Sequence, residues 1–151
     1  MKYNSDIHHR KSIRLKDYDY SQSGAYFVTI CAYNRECLLG KIVDGKMRLN
    51  EYGLIAQDEW KRTKVIRKNI EIDEFIVMPN HMHGIIIIKD NGINFGRGTM
   101  HRAPTIESFG KPTTNTIPTI IRGYKSAVTN QINKLRNTPQ TRFGNGIIMN
   151  M

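Results

Sequence analysis

Two histidines separated by a single residue, His81 and His83, are the side chains in this sequence best suited to metal chemistry. They open an isoleucine-rich segment, residues 81–89, whose composition predicts a buried strand. Side chains alternate across a strand, so both imidazoles are expected on one face and Met82 on the other. Two imidazoles so placed can share one divalent ion, and imidazole suits Zn, Mn, Ni or Co. The alternative is a pair of ordinary strand histidines that bind no metal.

The segments before this pair predict a strand and a hairpin. Residues 25–32 are rich in aromatic and β-branched side chains, which favour a strand. Residues 41–43 and 46–49 flank Asp44-Gly45, a dipeptide typical of a tight hairpin turn. A further strand is predicted over residues 70–78, directly before the histidine segment.

Two helices are predicted. Asn50 can cap a helix that runs to about Lys64, and its expected buried residues are Leu54, Ile55 and Trp60. Residues 117–135 form the second helix, whose apolar positions recur at helical period: Ile117, Ile120, Ile121, Tyr124, Val128, Ile132 and Leu135. Residues 90–116, rich in Gly, Asn, Pro and Thr, predict a long loop. The order of elements predicts an α+β fold, a ferredoxin-like or RNA-recognition-motif-like antiparallel sheet with helices packed on it.

Composition points to a polyanionic partner. The 151-residue chain has a formal net charge of +10 and a pI near 9.8, which favours nucleic acid or an anionic surface. No apolar run is long enough to span a membrane, and the first ten residues do not resemble a secretory signal. Cys31 and Cys37 are expected to be reduced thiols in a cytoplasmic protein. The expected organisation is a basic arm at 1–24, one domain at 25–136 and a tail at 137–151.

The basic residues fall into two candidate DNA-binding groups. One group lies in the N-terminal arm and comprises Arg10, Lys11, Arg14 and Lys16. The other lies on the polar face of the second helix and comprises Arg122 and Lys125. A further basic run occupies the end of the first helix and comprises Lys61, Arg62, Lys64, Arg67 and Lys68. For all of them the alternative is a solvated surface with no ligand.

Three separated motifs resemble one family of DNA-processing enzymes. Residues 75–84 read Phe-Ile-Val-Met-Pro-Asn-His-Met-His-Gly, residues 24–29 read Gly-Ala-Tyr-Phe-Val-Thr, and residues 120–129 read Ile-Ile-Arg-Gly-Tyr-Lys-Ser-Ala-Val-Thr. Together with the N-terminal basic stretch, these motifs resemble the single-tyrosine HUH transposases, and among them the REP-associated tyrosine transposases. The resemblance covers residues 10–136, nearly the whole chain.

The resemblance implies DNA strand cleavage and rejoining. It implies that His81 and His83 hold a divalent ion, Mg or Mn, that polarises the scissile phosphate. A tyrosine hydroxyl then attacks and leaves a covalent 5′-phosphotyrosine link. The implied substrate is single-stranded or hairpin DNA, and the implied assembly is a monomer or a homodimer.

The nucleophile does not carry over from the resemblance, and neither does the further metal ligand that accompanies it. In the family the tyrosine lies in a segment Trp-Gln-Arg-Asn-Tyr-Tyr-Glu-His that follows the long helix, whereas residues 143–151 here read Phe-Gly-Asn-Gly-Ile-Ile-Met-Asn-Met. Tyr124 lies on the apolar stripe of its helix and is expected in the core.

A shift of reading frame accounts for this tail. Permitted codons for residues 143–151 are TTT GGC AAC GGA ATT ATT ATG AAC ATG. Read two bases later, the same string is TGG CAA CGG AAT TAT TAT GAA CAT, which encodes the family segment in full. We therefore expect the chain to be the product of a frameshifted gene, without its nucleophile and inactive in strand transfer.

Two other function classes stay open. The first is a module that binds nucleic acid without cutting it, with Tyr26 and Phe27 as possible stacking surfaces, although strand aromatics more often lie in the core. The second is a metal-dependent phosphodiesterase that uses the two histidines with water as nucleophile. Cleavage without a covalent protein–DNA product would single out the second class.

Overall fold

The fold is an antiparallel sheet with two helices on one face, and it confirms the predicted α+β class. The computed structural model describes residues 18–89 and 115–137, together with the backbone of a short strand at 149–150. The elements in chain order are β1 Gly24–Cys31, a 3₁₀ turn Tyr33–Arg35, β2 Gly40–Val43, β3 Lys46–Leu49, α1 Glu51–Ile66, β4 Ile70–Val77, β5 His81–Ile88, α2 Ile117–Leu135 and β6 Met149–Asn150.

The main sheet has the order β4-β5-β1-β6, and the β2–β3 hairpin forms a separate two-stranded sheet. With the hairpin set aside, the chain order is βαββαβ and the strand order is that of a ferredoxin-like fold. β5 is central and pairs antiparallel with β4 and β1, and Cys31 lies opposite His81. The strand that carries the histidines is thus held on both sides.

Local sequence explains where the elements begin and turn. The hairpin turns at Asp44 and Gly45 with φ values of 51° and 72°, the left-handed conformations that a two-residue hairpin turn requires. The Asn50 side chain accepts a hydrogen bond of 2.9 Å from the Gly53 backbone N–H and caps α1. The α2 boundaries, Ile117 and Leu135, match the prediction.

The core lies between the sheet and the antiparallel pair α1 and α2. Trp60 of α1 is completely buried, and its ring meets that of Tyr124 of α2 edge to face with centroids 5.2 Å apart. Trp60 also lies directly on Gly84 of β5, where an added Cβ would come within 2.5 Å of the indole ring. Glycine at this position therefore allows α1 to pack closely against the strand beside the histidine pair.

One residue expected to be buried and the last apolar position of the second helix are exposed. Leu54 of α1 is 50% exposed and Leu135, the last residue of α2, is 47% exposed. On α1 the buried face instead carries Gly53, Ala56, Glu59, Trp60 and Thr63, because an added Cβ at Gly53 would lie 2.1 Å from the Leu39 carbonyl oxygen. This close approach of the hairpin fixes the rotation of α1, which turns Leu54 outward. On α2 the core cluster ends at Ile132.

Candidate metal centre

His81 and His83 lie side by side on the face of the sheet opposite the helices. Met82 between them is buried at 1% exposure in the core, as the alternation of side chains predicts. The two imidazole ring centroids are 4.8 Å apart and the ring planes are inclined by 73°. Both rings are partly exposed. We call this surface, with Phe27, Thr29 and Ile76 on the adjoining strands, the histidine face.

A tight turn at Pro79 and Asn80 places His81 at the start of β5. The Met78 N–H donates to the His81 carbonyl across this turn at 2.8 Å, and the Ala32 N–H donates to the Asn80 carbonyl at 2.8 Å. The Asn80 side-chain amide then donates to the Arg35 carbonyl at 3.1 Å. This bond defines which amide atom is which, so the oxygen of the Asn80 side chain faces His81.

The same oxygen determines the tautomer of His81. Its distance to His81 Nδ1 is 2.7 Å, and because an amide oxygen only accepts, Nδ1 carries the proton and donates. In the neutral ring the lone pair is then on Nε2, the atom left for a metal. On His83, Nδ1 shares a hydrogen bond of 2.8 Å with the Thr29 hydroxyl. Both rings therefore have a partner at Nδ1 that holds their orientation.

The environment of His81 favours its neutral form. Burial lowers the pKa of His81, and the neighbouring His83 lowers it further. A neutral imidazole is the form that binds a metal. No third His, Cys, Asp or Glu joins the pair within residues 18–89 and 115–137. The donor set fits an ion held from one side, with its other ligands coming from water, substrate or residues outside those ranges.

Two of these positioning residues, Thr29 and Asn80, were not identified from the sequence. Thr29 lies 54 positions away from His83 in the chain, and only the pairing of β1 with β5 brings the two together. Asn80 had a signal, since an amide directly before a histidine pair at a strand start can reach back to the first imidazole. Cys31 lies opposite His81 as a free thiol, and Cys37 is also free.

Tyr124 lies in the core, as predicted, and not at the histidine face. It is 5% exposed, and its hydroxyl donates to the Ala56 carbonyl at 3.0 Å and lies 2.9 Å from Met82 Sδ. Burial, and to a smaller extent the charge of Glu59, raises the pKa of Tyr124. Its packing is that of a structural tyrosine that stays protonated.

Tyr124→Phe is expected to lower the free energy of unfolding by about 1 kcal/mol, because a buried hydrogen bond is lost. Because the pKa of Tyr124 is higher in the folded protein than in the unfolded chain, Tyr124 makes its full contribution to the free energy of unfolding below about pH 10. Above that pH the unfolded chain ionises first and this stability is lost. Urea unfolding at neutral pH and above pH 10 should show the difference between wild type and variant shrinking with pH. An unchanged difference would contradict the buried position, and the exposed Tyr33→Phe serves as the control.

The predicted DNA-binding residues are only partly placed. Arg10, Lys11, Arg14 and Lys16 lie outside the described residues. Arg122 and Lys125 lie on α2, exposed and partly exposed respectively. Because α2 packs on the opposite side of the sheet, the structure does not bring these two residues to the histidine face.

A basic cleft lies where α1 ends and α2 begins. Its volume is about 480 Å³ and its lining is Ile66, Arg67, Lys68, Asn69 and Asn115. The Arg67 guanidinium donates to the Asn115 side-chain oxygen at 3.4 Å and reaches Gly123, beside Arg122. None of the five lining residues is acidic. Part of the basic run predicted at the end of α1 thus meets the start of α2 in one positive surface.

Comparison with known proteins shows the family of the chain. No protein-family model matches the sequence. An uncharacterized protein of Haemophilus influenzae is 42% identical over 134 residues, which cover 88% of this chain and 73% of that protein. The chain belongs to the same family as this Haemophilus protein.

The fold of the chain is similar to that of a REP-associated tyrosine transposase. A solved REP-associated tyrosine transposase bound to a REP hairpin matches with a TM-score of 0.50 at 15% sequence identity. The match covers 93% of this chain, which spans 61% of the transposase chain. Neither of the two helices described here is long and apolar enough to cross a membrane.

Proposed function

We propose that this protein is a transposase-type protein of single-stranded or hairpin DNA, with His81 and His83 as its metal ligands and with strand transfer dependent on a tyrosine that residues 143–151 lack. The observation that carries the proposal is the arrangement of the two imidazoles, 4.8 Å apart on an open sheet face with each Nδ1 held by a hydrogen bond. The REP hairpin in the similar transposase structure supports a DNA substrate. A bound Mg or Mn ion would act as a Lewis acid on the scissile phosphate.

The residues described here do three things in this proposal. Asn80 and Thr29 orient the imidazoles before a metal or substrate arrives. The lowered pKa of His81 keeps its ring neutral and able to bind. The strand β5, paired on both sides and packed against Trp60, holds the pair rigid.

The attacking tyrosine is proposed to come from outside the described residues. Tyr124 is in the core, Tyr26 donates its hydroxyl to the Gln22 carbonyl, and the Tyr52 hydroxyl accepts from Arg136. Tyr33 lines the small cavity between β5 and α2 that also contains Met82, on the helix side of the sheet. Tyr18 and Tyr20 pack against each other with ring centroids 4.7 Å apart. Under the frameshift hypothesis the attacking tyrosine lies in the family segment, which is encoded in another frame.

The test of the proposal is incubation of hairpin DNA and Mn²⁺ or Mg²⁺ with the 151-residue chain and with a chain that carries the family tyrosine segment, with products separated on a denaturing gel. Metal-dependent cleavage with a covalent protein–DNA product supports the transposase reaction. Cleavage without that product supports a phosphodiesterase that uses water. If a chain that carries the family tyrosine binds DNA without cleaving it, the result supports a module that only binds nucleic acid. The basic cleft is the observation that favours this alternative.

DNA binding is expected to weaken steeply with salt, because each neutralised phosphate releases counterions. Removing one phosphate contact should reduce the slope of log affinity against log salt by about 0.7 to 0.9. We expect this for Arg122→Ala and for Lys68→Ala at the basic cleft. The matched control is Lys134→Ala, an exposed lysine roughly 18 Å from Arg122 along α2. Unchanged slopes in both test variants would exclude the basic cleft and Arg122 as phosphate contacts.

A further inference from the structure

The histidine face carries an aromatic ring that is not covered by the described part of the chain. Phe27 of β1 is 57% exposed, whereas the exposed tyrosines Tyr18 and Tyr33 are each 37% exposed. Its neighbour in sequence, Tyr26, instead turns to the helix side and is partly buried. Two aromatic residues that the sequence could not tell apart therefore have different surroundings, and only Phe27 shares a face with the histidines.

Phe27 contacts the metal-ligand pair directly. Its ring is stacked on that of His83, with centroids 5.3 Å apart and planes inclined by 22°. On the other side of His83, Ile76 of β4 is the direct cross-strand neighbour and is 51% exposed. One face of the Phe27 ring is thus occupied by an imidazole, while the exposed remainder is a flat apolar surface beside the histidine pair.

We propose that Phe27 and Ile76 form a nucleobase-binding subsite, in which an unpaired DNA base stacks on Phe27. The proposal rests on the proposed function, because a phosphate held at His81 and His83 brings the base of a neighbouring nucleotide to this surface. Single-stranded DNA is bound without sequence preference where a positive charge holds the backbone and an aromatic ring stacks a base, and a divalent ion on the histidine pair would supply that charge beside Phe27. The net charge of +10 favours a polyanion over an apolar peptide as the occupant.

The proposed stacking of a DNA base on Phe27 also gives a reason for the exposure of its ring. An apolar side chain of this size left in water forgoes the stability that burial would give. The direct cross-strand neighbour of Phe27 on β5 is Ile85, which lies on the same face, and Thr29, two residues along β1, is bonded to His83. The subsite therefore reads an unpaired base and excludes one that is paired in a duplex, whose faces are already stacked.

The experiment compares two probes of equal length and charge, a short oligo-dT strand and a strand of abasic deoxyribose phosphates, both with Mn²⁺. Wild type is expected to bind oligo-dT about tenfold or more tightly, since base–aromatic stacking is worth roughly 5- to 150-fold. Phe27→Leu should lose most of this preference while it keeps its affinity for the abasic strand. Phe27→Trp should retain the preference. Tyr18→Leu, at another exposed aromatic residue, is the matched control and should behave as wild type.

Several outcomes would overturn the subsite. Equal affinity of wild type for the two probes would do so, as would an equal loss on both probes in Phe27→Leu. A fall of several degrees in Tm for Phe27→Leu would show that another part of this chain covers the ring. A dimer that Phe27→Leu dissociates would show that a second copy covers it. The proposed function fails separately, when His81→Ala leaves the Mn²⁺ dependence of abasic-strand binding unchanged.

Discussion

Replacement of His81 or His83 by alanine is expected to lower metal affinity at least about 100-fold and, in a chain that carries the attacking tyrosine, to abolish metal-dependent DNA cleavage. Each substitution removes one of two imidazoles from a centre that has no third side-chain ligand within residues 18–89 and 115–137. A Lewis acid contributes several kcal/mol to a phosphate transition state, so its loss costs roughly a thousandfold or more in rate. Isothermal titration calorimetry with Mn²⁺ measures the metal affinity and does not require turnover.

The hydrogen-bond partners of the pair allow a graded test of the same centre. Thr29→Val keeps the shape of the side chain and removes the hydroxyl that contacts His83 Nδ1, so we expect a loss of roughly 10- to 100-fold in metal affinity. Asn80→Ala should act similarly through His81, with an added loss of the bond to the Arg35 carbonyl.

Misfolding has to be separated from loss of the metal centre in these variants. Both imidazoles are partly exposed, so the free energies of unfolding of the alanine variants should lie within about 0.5 kcal/mol of the wild-type value. Retained metal affinity in both single alanine variants would exclude the histidine pair as the centre. Retained affinity in Thr29→Val alone would exclude only the orienting role of the hydroxyl.

A chain in which the shifted reading frame replaces residues 143–151 is expected to form a covalent DNA adduct, and the 151-residue chain is expected to form none. The reason is chemical: an ion and two oriented histidines polarise a phosphate, but transfer needs a nucleophile placed in line with the leaving oxygen. Permitted codons for residues 143–151, read two bases later, encode Trp-Gln-Arg-Asn-Tyr-Tyr-Glu-His, which contains the tyrosine that the resemblance requires. The nucleotide sequence around codon 143 checks the frame directly.

The adduct assay uses the 151-residue chain and the shifted-frame chain side by side, with hairpin DNA and Mn²⁺. A tyrosine-to-phenylalanine change at the nucleophile of the shifted-frame segment should remove the adduct, whereas Tyr124→Phe in the same protein should leave it intact. An adduct formed by the 151-residue chain and lost in its Tyr124→Phe variant would refute the frameshift hypothesis. It would also require Tyr124 to leave its position in the core, where its side chain is only 5% exposed.

Much of the fold was accessible from local sequence because local interactions decide it. The helical period of the apolar residues defined α2 from Ile117 to Leu135, and the Asp44-Gly45 turn defined the hairpin. The spacing of His81 and His83 placed both rings on one face, since alternation in a strand depends only on neighbouring residues. The metal-binding role of the pair stays a prediction, as do the DNA contacts of Arg122 and Lys125.

Only the tertiary structure decided which face is which. β5 carries four consecutive isoleucines, so both of its faces are apolar and alternation could not show which one the helices cover. The packing of Trp60 on Gly84 settles it: the helices take the Met82 side, and the histidines with Phe27 face outward. The same choice puts Arg122 and Lys125 across the sheet from the metal centre. These relations join residues far apart in the chain, and they depend on strand register and close packing, which no local pattern of residues encodes.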